Sequence, residues 1–124
     1  MTRKILIADD EPNILISLEY LMQREGFEVL VARDGNEALE LARDRHPDLI
    51  LLDAMMPGRD GFEVCREIRA DPELRDMRIL MLTARGRDTD IAKGQAMGAD
   101  AYVVKPFSTR ELADKVREML TEKS

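Results

Sequence analysis

Five short apolar runs recur along the chain: Ile5–Ala8, Phe27–Ala32, Leu49–Leu52, Ile79–Leu82 and Ala101–Val104. Each is followed by a longer stretch of helical period, and this alternation is the strongest constraint on what the chain can become. Four of the runs are nearly uninterrupted, the pattern of parallel strands covered on both faces. Between them, Leu15, Leu18 and Met22 share one helical face, as do Leu112, Val116 and Met119. Parallel neighbours need crossover connections, and those crossovers are right-handed. The expected architecture is therefore doubly wound α/β: five βα units, a parallel sheet in the order 2-1-3-4-5, helices on both faces, and one domain over residues 1–124.

That strand order is flavodoxin-like, and the helix punctuation agrees with it. Pro12 suits a first helical position, and Gly26 suits a C-terminal stop. "DGNE" (Asp34 to Glu37) and "STRE" (Ser108 to Glu111) are capping-box patterns. Asp60-Gly61 opens the third helix, and Gly98 closes the fourth. With Gly86 and Gly94 in or beside it, the fourth helix is expected to be the weakest and most mobile.

Composition narrows the function. A net charge of −6 argues against general binding to nucleic acid or to an anionic membrane surface. A single cysteine, Cys65, excludes an internal disulfide and fits a reducing cytoplasm. It shares a helical face with Phe62 and Ile68 and reads as inert packing. No apolar stretch approaches the ~20 residues that span a bilayer, and the N-terminus lacks the pattern of a signal peptide.

In such a sheet, ligands bind beyond the carboxyl ends of the strands, near the switch between strands 1 and 3. Strand 1 ends in Asp9-Asp10, strand 3 in Asp53, strand 4 in Thr83 and strand 5 in Lys105; the edge strand ends in the ordinary Arg33-Asp34. Two carboxylates ~5 Å apart repel by roughly 3 kcal/mol at an effective dielectric near 20. Three of them must raise their pKa values or be neutralised by a cation. Carboxylate oxygens with no His or Cys nearby favour Mg²⁺, with Mn²⁺ able to substitute. The set reads as a phosphoryl-handling site with Asp53 as nucleophile, while Thr83 and Lys105 offer a hydroxyl and an ammonium to phosphoryl oxygens. Ala84 leaves room for the group. Glu11 stands apart as a first-turn acid beside Pro12.

Together, "ILIADDEP", "DLILLDAMMPGRDGFEV", "ILMLTA" and "GADAYVVKPF" resemble the receiver domain of bacterial two-component response regulators, CheY-like, over essentially the whole chain. The resemblance implies that Asp53 is the phosphoacceptor for a histidine kinase or histidine phosphotransfer protein. It implies that Asp10 is a direct Mg²⁺ ligand, that Asp9 acts through water and that the Met55 carbonyl is the backbone ligand. By the same resemblance Thr83 and Tyr102 form the switch pair, Lys105 pairs with the phosphoryl group, and Pro106 follows a cis peptide. Autodephosphorylation depends on the side chains at the positions of Met55 and Arg85. Such a domain is no conventional enzyme: it catalyses its own phosphorylation and slow loss of phosphate. It works in the cytoplasm as a monomer or a phosphorylation-promoted homodimer, acting on a protein target and not on nucleic acid directly. His46, before Pro47, is the single histidine, so a histidine phosphodonor belongs to another protein.

Rival readings fit less well. A phosphatase of the haloacid dehalogenase type places Asp two positions after its nucleophile, where this chain has Met55. A flavin module wants a Ser/Thr/Gly phosphate loop after strand 1, where this chain has acids. A degenerate receiver would lack part of the five-residue set. Ala101 and Ile91 depart from the winged-helix subfamily, and the "ADPELRDMR" insertion resembles single-domain and cyclase-linked receivers. A free-standing receiver is the favoured expectation, with one cut from a larger regulator or hybrid kinase as the alternative.

Overall fold

The computed structural model describes residues 2–84 and 88–121. Five strands alternate with five helices: β1 (Lys4–Ala8), α1 (Pro12–Arg24), β2 (Glu28–Ala32), α2 (Gly35–Arg45), β3 (Leu49–Asp53), α3 (Gly61–Ala70), β4 (Arg78–Ala84), α4 (Asp88–Met97), β5 (Ala101–Lys105) and α5 (Thr109–Thr121). The sheet is parallel throughout, in the order β2-β1-β3-β4-β5. The expected order therefore holds, and β2 begins one residue later than its apolar run.

Side chains alternate across the sheet and feed two cores. Leu6, Ile50, Leu52, Ile79 and Met81 face α2 and α3, meeting Leu39, Phe62, Val64 and Ile68. Ile5, Ile7, Leu49, Leu51, Leu80 and Leu82 face α1 and α5, meeting Leu15, Leu18, Met22, Leu112 and Val116. Every residue of β3 is buried, which is why that strand reads as an unbroken apolar run ending in an acid.

The helix caps follow the sequence, but among the described residues neither expected capping box closes on both sides. Asp34 accepts the N–H of Glu37 at 2.8 Å, but the Glu37 carboxylate reaches the N–H of Arg33 at 2.8 Å, one residue earlier than in a capping box. Asp60 and Ser108 accept from the N–H groups of Glu63 and Glu111. His46 ends α2 in the left-handed region, at φ 48°. Gly94 is buried where α4 approaches Met81 and Phe62, so this glycine serves packing. Gly86 and Arg85 lie outside the described residues.

A device not expected from the sequence holds the far end of the sheet. Arg69, near the end of α3, donates to the carbonyls of Gly98 (2.8 Å), Arg75 (2.8 Å) and Met77 (2.6 Å), and to Asp100 Oδ2 (2.8 Å). Asp100 Oδ2 also accepts the N–H of Ile79 at 2.8 Å. One guanidinium thus joins α3, the 71–77 segment and the turn after α4. Among the described residues, no helix is long and apolar enough to cross a membrane.

The two cores predict a sharp contrast in denaturant melts. Leu51→Ala, at a fully buried position, is expected to cost about 2–5 kcal/mol. Ile16→Ala, on the exposed side of α1, is expected to stay within about 0.5 kcal/mol of wild type.

Candidate functional site

Register brings the chemistry to one end of the sheet. Ala8 lies opposite Leu52, so the residues that follow, Asp9 and Asp53, emerge side by side. Asp53 is level with Leu82, one residue before Thr83, and Ala84 pairs with Lys105. Carboxylate oxygens of Asp9, Asp10 and Asp53 come within 4.8 Å of one another. Asp9 is fully buried and Asp53 nearly so, whereas Asp10 is exposed.

The three acids are bonded differently. Asp9 is occupied on both oxygens: Oδ1 accepts the N–H of Glu11 at 3.0 Å, and Oδ2 takes the Lys105 ammonium at 3.1 Å. Asp53 Oδ1 accepts the N–H of Met55 at 3.4 Å and faces Lys105 Nζ at 3.4 Å. Among the described residues, Asp10 makes no hydrogen bond or ion pair. Lys105 therefore clamps two carboxylates, a role beyond the phosphoryl pairing implied by the resemblance. No sequence spacing announces it, because β5 is separated from β1 by two strands and only the length of the lysine stem bridges the gap.

The electrostatics follow from burial. Asp53 is pushed up to about 6, first by desolvation and then by the Asp9 charge; Lys105 and the Met55 N–H hold the rise in check. Burial pulls the Lys105 ammonium down, but Asp53 and Asp9 together outweigh it and the net direction is upward. Among the described residues, one cation faces three carboxylates, which leaves the cluster short of positive charge. All-oxygen donors with Asp10 unengaged fit a small hard divalent cation. The Met55 carbonyl is the neutral oxygen on the adjoining loop.

Two further features complete the site. Thr83 Oγ1 is buried with no hydrogen-bond partner among the described residues. Tyr102, on β5 beside Met81, is 42% exposed and so points outward. Gly61 has a role beyond starting α3: a Cβ there would overlap the Asp53 carbonyl oxygen and lie 2.9 Å from the Ala54 Cα. The α3 start can press this closely on the end of β3 only with glycine, and the Gly61 N–H donates to the Ala54 carbonyl at 3.0 Å. The Lys105–Pro106 peptide is cis. Arg85, the remaining candidate, lies outside the described residues. Cys65 is buried, its thiol pushed up to about 11 chiefly by desolvation, and its Sγ donates to the Met97 carbonyl at 3.4 Å.

The raised Asp53 pKa has a stability consequence in metal-free buffer. A carboxyl at about 6 in the fold and 3.8 outside it favours the folded state below pH 4. That contribution is lost as pH rises through about 6. In EDTA, Asp53→Asn is therefore expected to be more stable than wild type at pH 7.5 by roughly 1–3 kcal/mol. The difference should shrink toward pH 4 in paired urea melts.

A family model for the response regulator receiver domain matches residues 5–117. A chain described as a response regulator from Chloroflexus aurantiacus is 35% identical, with a TM-score of 0.94 over 98% of this chain and 99% of that one. The chemotaxis response regulator CheY4 of Vibrio cholerae is 33% identical, with a TM-score of 0.90 over 95% of this chain and 98% of its own. The receiver domain of a sensor histidine kinase from Pseudomonas aeruginosa, which holds a magnesium ion in its active-site cleft, is 30% identical, with a TM-score of 0.90 over 98% and 99% of the two chains. Sheet order, acidic pocket and lysine agree with these likenesses, and the chain belongs to the CheY-like receiver domains of response regulators.

Proposed function

We propose that the domain is the phosphoacceptor of a two-component pathway, with Asp53 taking a phosphoryl group from the phosphohistidine of a sensor histidine kinase or histidine phosphotransfer protein. The observation that carries this reading is the buried Asp53 set among Asp9, Asp10 and Lys105 at the strand ends. His46, the single histidine, caps α2 beside Asp48 at the opposite end of the sheet, so the donor is a second protein.

Asp10, Asp53 and the Met55 carbonyl would hold Mg²⁺ directly, and Asp9 through water. This division accords with Asp9 having both oxygens engaged and Asp10 neither. When bound, the cation supplies the positive charge that keeps Asp53 ionised near neutral pH and screens the incoming phosphoryl oxygens. An Asp53 carboxylate oxygen attacks phosphorus, the P–N bond breaks, and its electron pair stays on the departing imidazole. Asp53 becomes an acyl phosphate. Lys105 turns its ammonium toward a phosphoryl oxygen, and Ala84 leaves space beside it.

The Thr83 hydroxyl, buried with no hydrogen-bond partner among the described residues, then donates to another phosphoryl oxygen. A buried polar group left unsatisfied costs about 1–3 kcal/mol, so the modification relieves a cost already present. As Thr83 moves, Tyr102 turns from solvent into the vacated space, and the α4–β5–α5 surface changes for a protein target. Moving such an equilibrium from 1:99 to 99:1 takes about 5.5 kcal/mol.

Acetyl phosphate or phosphoramidate with Mg²⁺ is expected to add one phosphoryl group by intact mass. The added mass should be absent in Asp53→Asn and after chelation. Labelling that survives Asp53→Asn would overturn the assignment. Loss of the group should be slow, because the exposed apolar Met55 side chain offers no polar atom to orient attacking water. Met55→Asn is expected to speed that loss several-fold in a mass-resolved time course.

A further inference from the structure

The loop that carries Met55 runs from Ala54 to Asp60, and its shape is set from outside the acidic pocket. Its first residue is fixed by two backbone bonds: Ala54 N–H to the Leu82 carbonyl and Gly61 N–H to the Ala54 carbonyl, each 3.0 Å. Met56 is buried in the core beneath α2 and α3. The far half of the loop rests on the first turn of α2. A Cβ on Gly35 would overlap the carbonyl oxygen of Arg59 and lie 2.7 Å from both its carbonyl carbon and its Cβ. The two backbones therefore touch, and no larger residue fits without moving the loop.

Side chains reinforce that contact. Asn36 Oδ1 accepts Arg59 Nε at 2.9 Å, and Asn36 Nδ2 lies 3.2 Å from where a Cβ on Gly58 would be. Gly58 itself turns at φ 78°, a conformation that favours glycine. The Arg59 guanidinium continues to Glu63 at 3.4 Å and pairs with Glu67, which fastens the loop to α3. Arg43 of α2 reaches Glu67 from the other side at 3.6 Å. Met55 is thus suspended between one anchor at Ala54 and a second at Arg59.

We propose that the start of α2, through Gly35 and Asn36, is a positioning element for the metal site: it sets where the Met55 carbonyl stands relative to Asp53 and Asp10. This rests on the Mg²⁺ role proposed above. Gly35 and Asn36 touch neither the cation nor the phosphoryl group and act through the backbone of Arg59. A displacement of a few tenths of an ångström matters because Mg²⁺ demands near-ideal geometry and tolerates a misplaced ligand poorly.

The test is Mg²⁺ affinity of the folded protein by titration calorimetry, set against thermal stability. Gly35→Ala is expected to weaken Mg²⁺ binding at least tenfold. Gly98→Ala is the comparison: it sits at φ 110° at the far end of the sheet, where a Cβ would meet Arg69 Cγ at 2.6 Å. That variant should lose stability yet bind Mg²⁺ within twofold of wild type. Arg59→Gln guards against a Gly35 variant that fails to fold, because its two explanations have opposite signs. Removing a positive charge near the acids would tighten Mg²⁺ binding if charge alone mattered, whereas loss of positioning weakens it several-fold. Wild-type affinity in Gly35→Ala, or tighter binding in Arg59→Gln, would overturn the proposal. Failure of the wild type to bind Mg²⁺ would bring down the metal reading itself, and this inference with it.

Discussion

The ammonium of Lys105 holds together a site that would otherwise push itself apart. Parallel strands end on one side of the sheet, so whatever follows β1, β3, β4 and β5 is crowded into one small volume. Among the described residues, that volume receives three carboxylates, two of them buried, and a single cation that reaches Asp9 at 3.1 Å and Asp53 at 3.4 Å. The balance remains negative, and Asp53 is pushed up to about 6, first by its burial and then by the Asp9 charge. An unmodified site of this kind is poised for positive charge and for a group that can satisfy Lys105 and Thr83 together.

The cores make that crowding tolerable. β3 is buried along its whole length and lies between β1 and β4. Its last residue, paired with Leu82 of β4, cannot retreat without breaking that ladder. Gly61 presses the start of α3 onto the Asp53 carbonyl, so Asp53 is fixed through its backbone as well as its side chain. Rigidity of this sort is bought with hydrophobic burial far from the site, in residues such as Leu51 and Ile50 that touch no ligand.

Much of this was legible in the chain, and the limits are instructive. The strand order followed from apolar runs and helical period because parallel strands buried on both faces cannot hide their composition. The acids at the strand ends followed from the same topology. Two kinds of information were not legible. Contacts across several strands, such as Lys105 with Asp9, depend on side-chain reach and leave no local pattern. Close backbone approaches, such as Gly61 on Asp53, look in sequence like ordinary helix punctuation. Arg69 is a third example: a basic residue near a helix end reads as a favourable dipole partner, yet its guanidinium takes four acceptors from two separate segments.

Arg69 also gives β4 its mechanical character. Through Asp100 it fastens the strand at Ile79, while the opposite end of the strand carries Thr83 and Ala84 toward the site. β4 is therefore a cantilever, clamped at its root and loaded at its tip. A pull on the Thr83 hydroxyl cannot slide such a strand along its own axis. It deflects the tip while the root stays still.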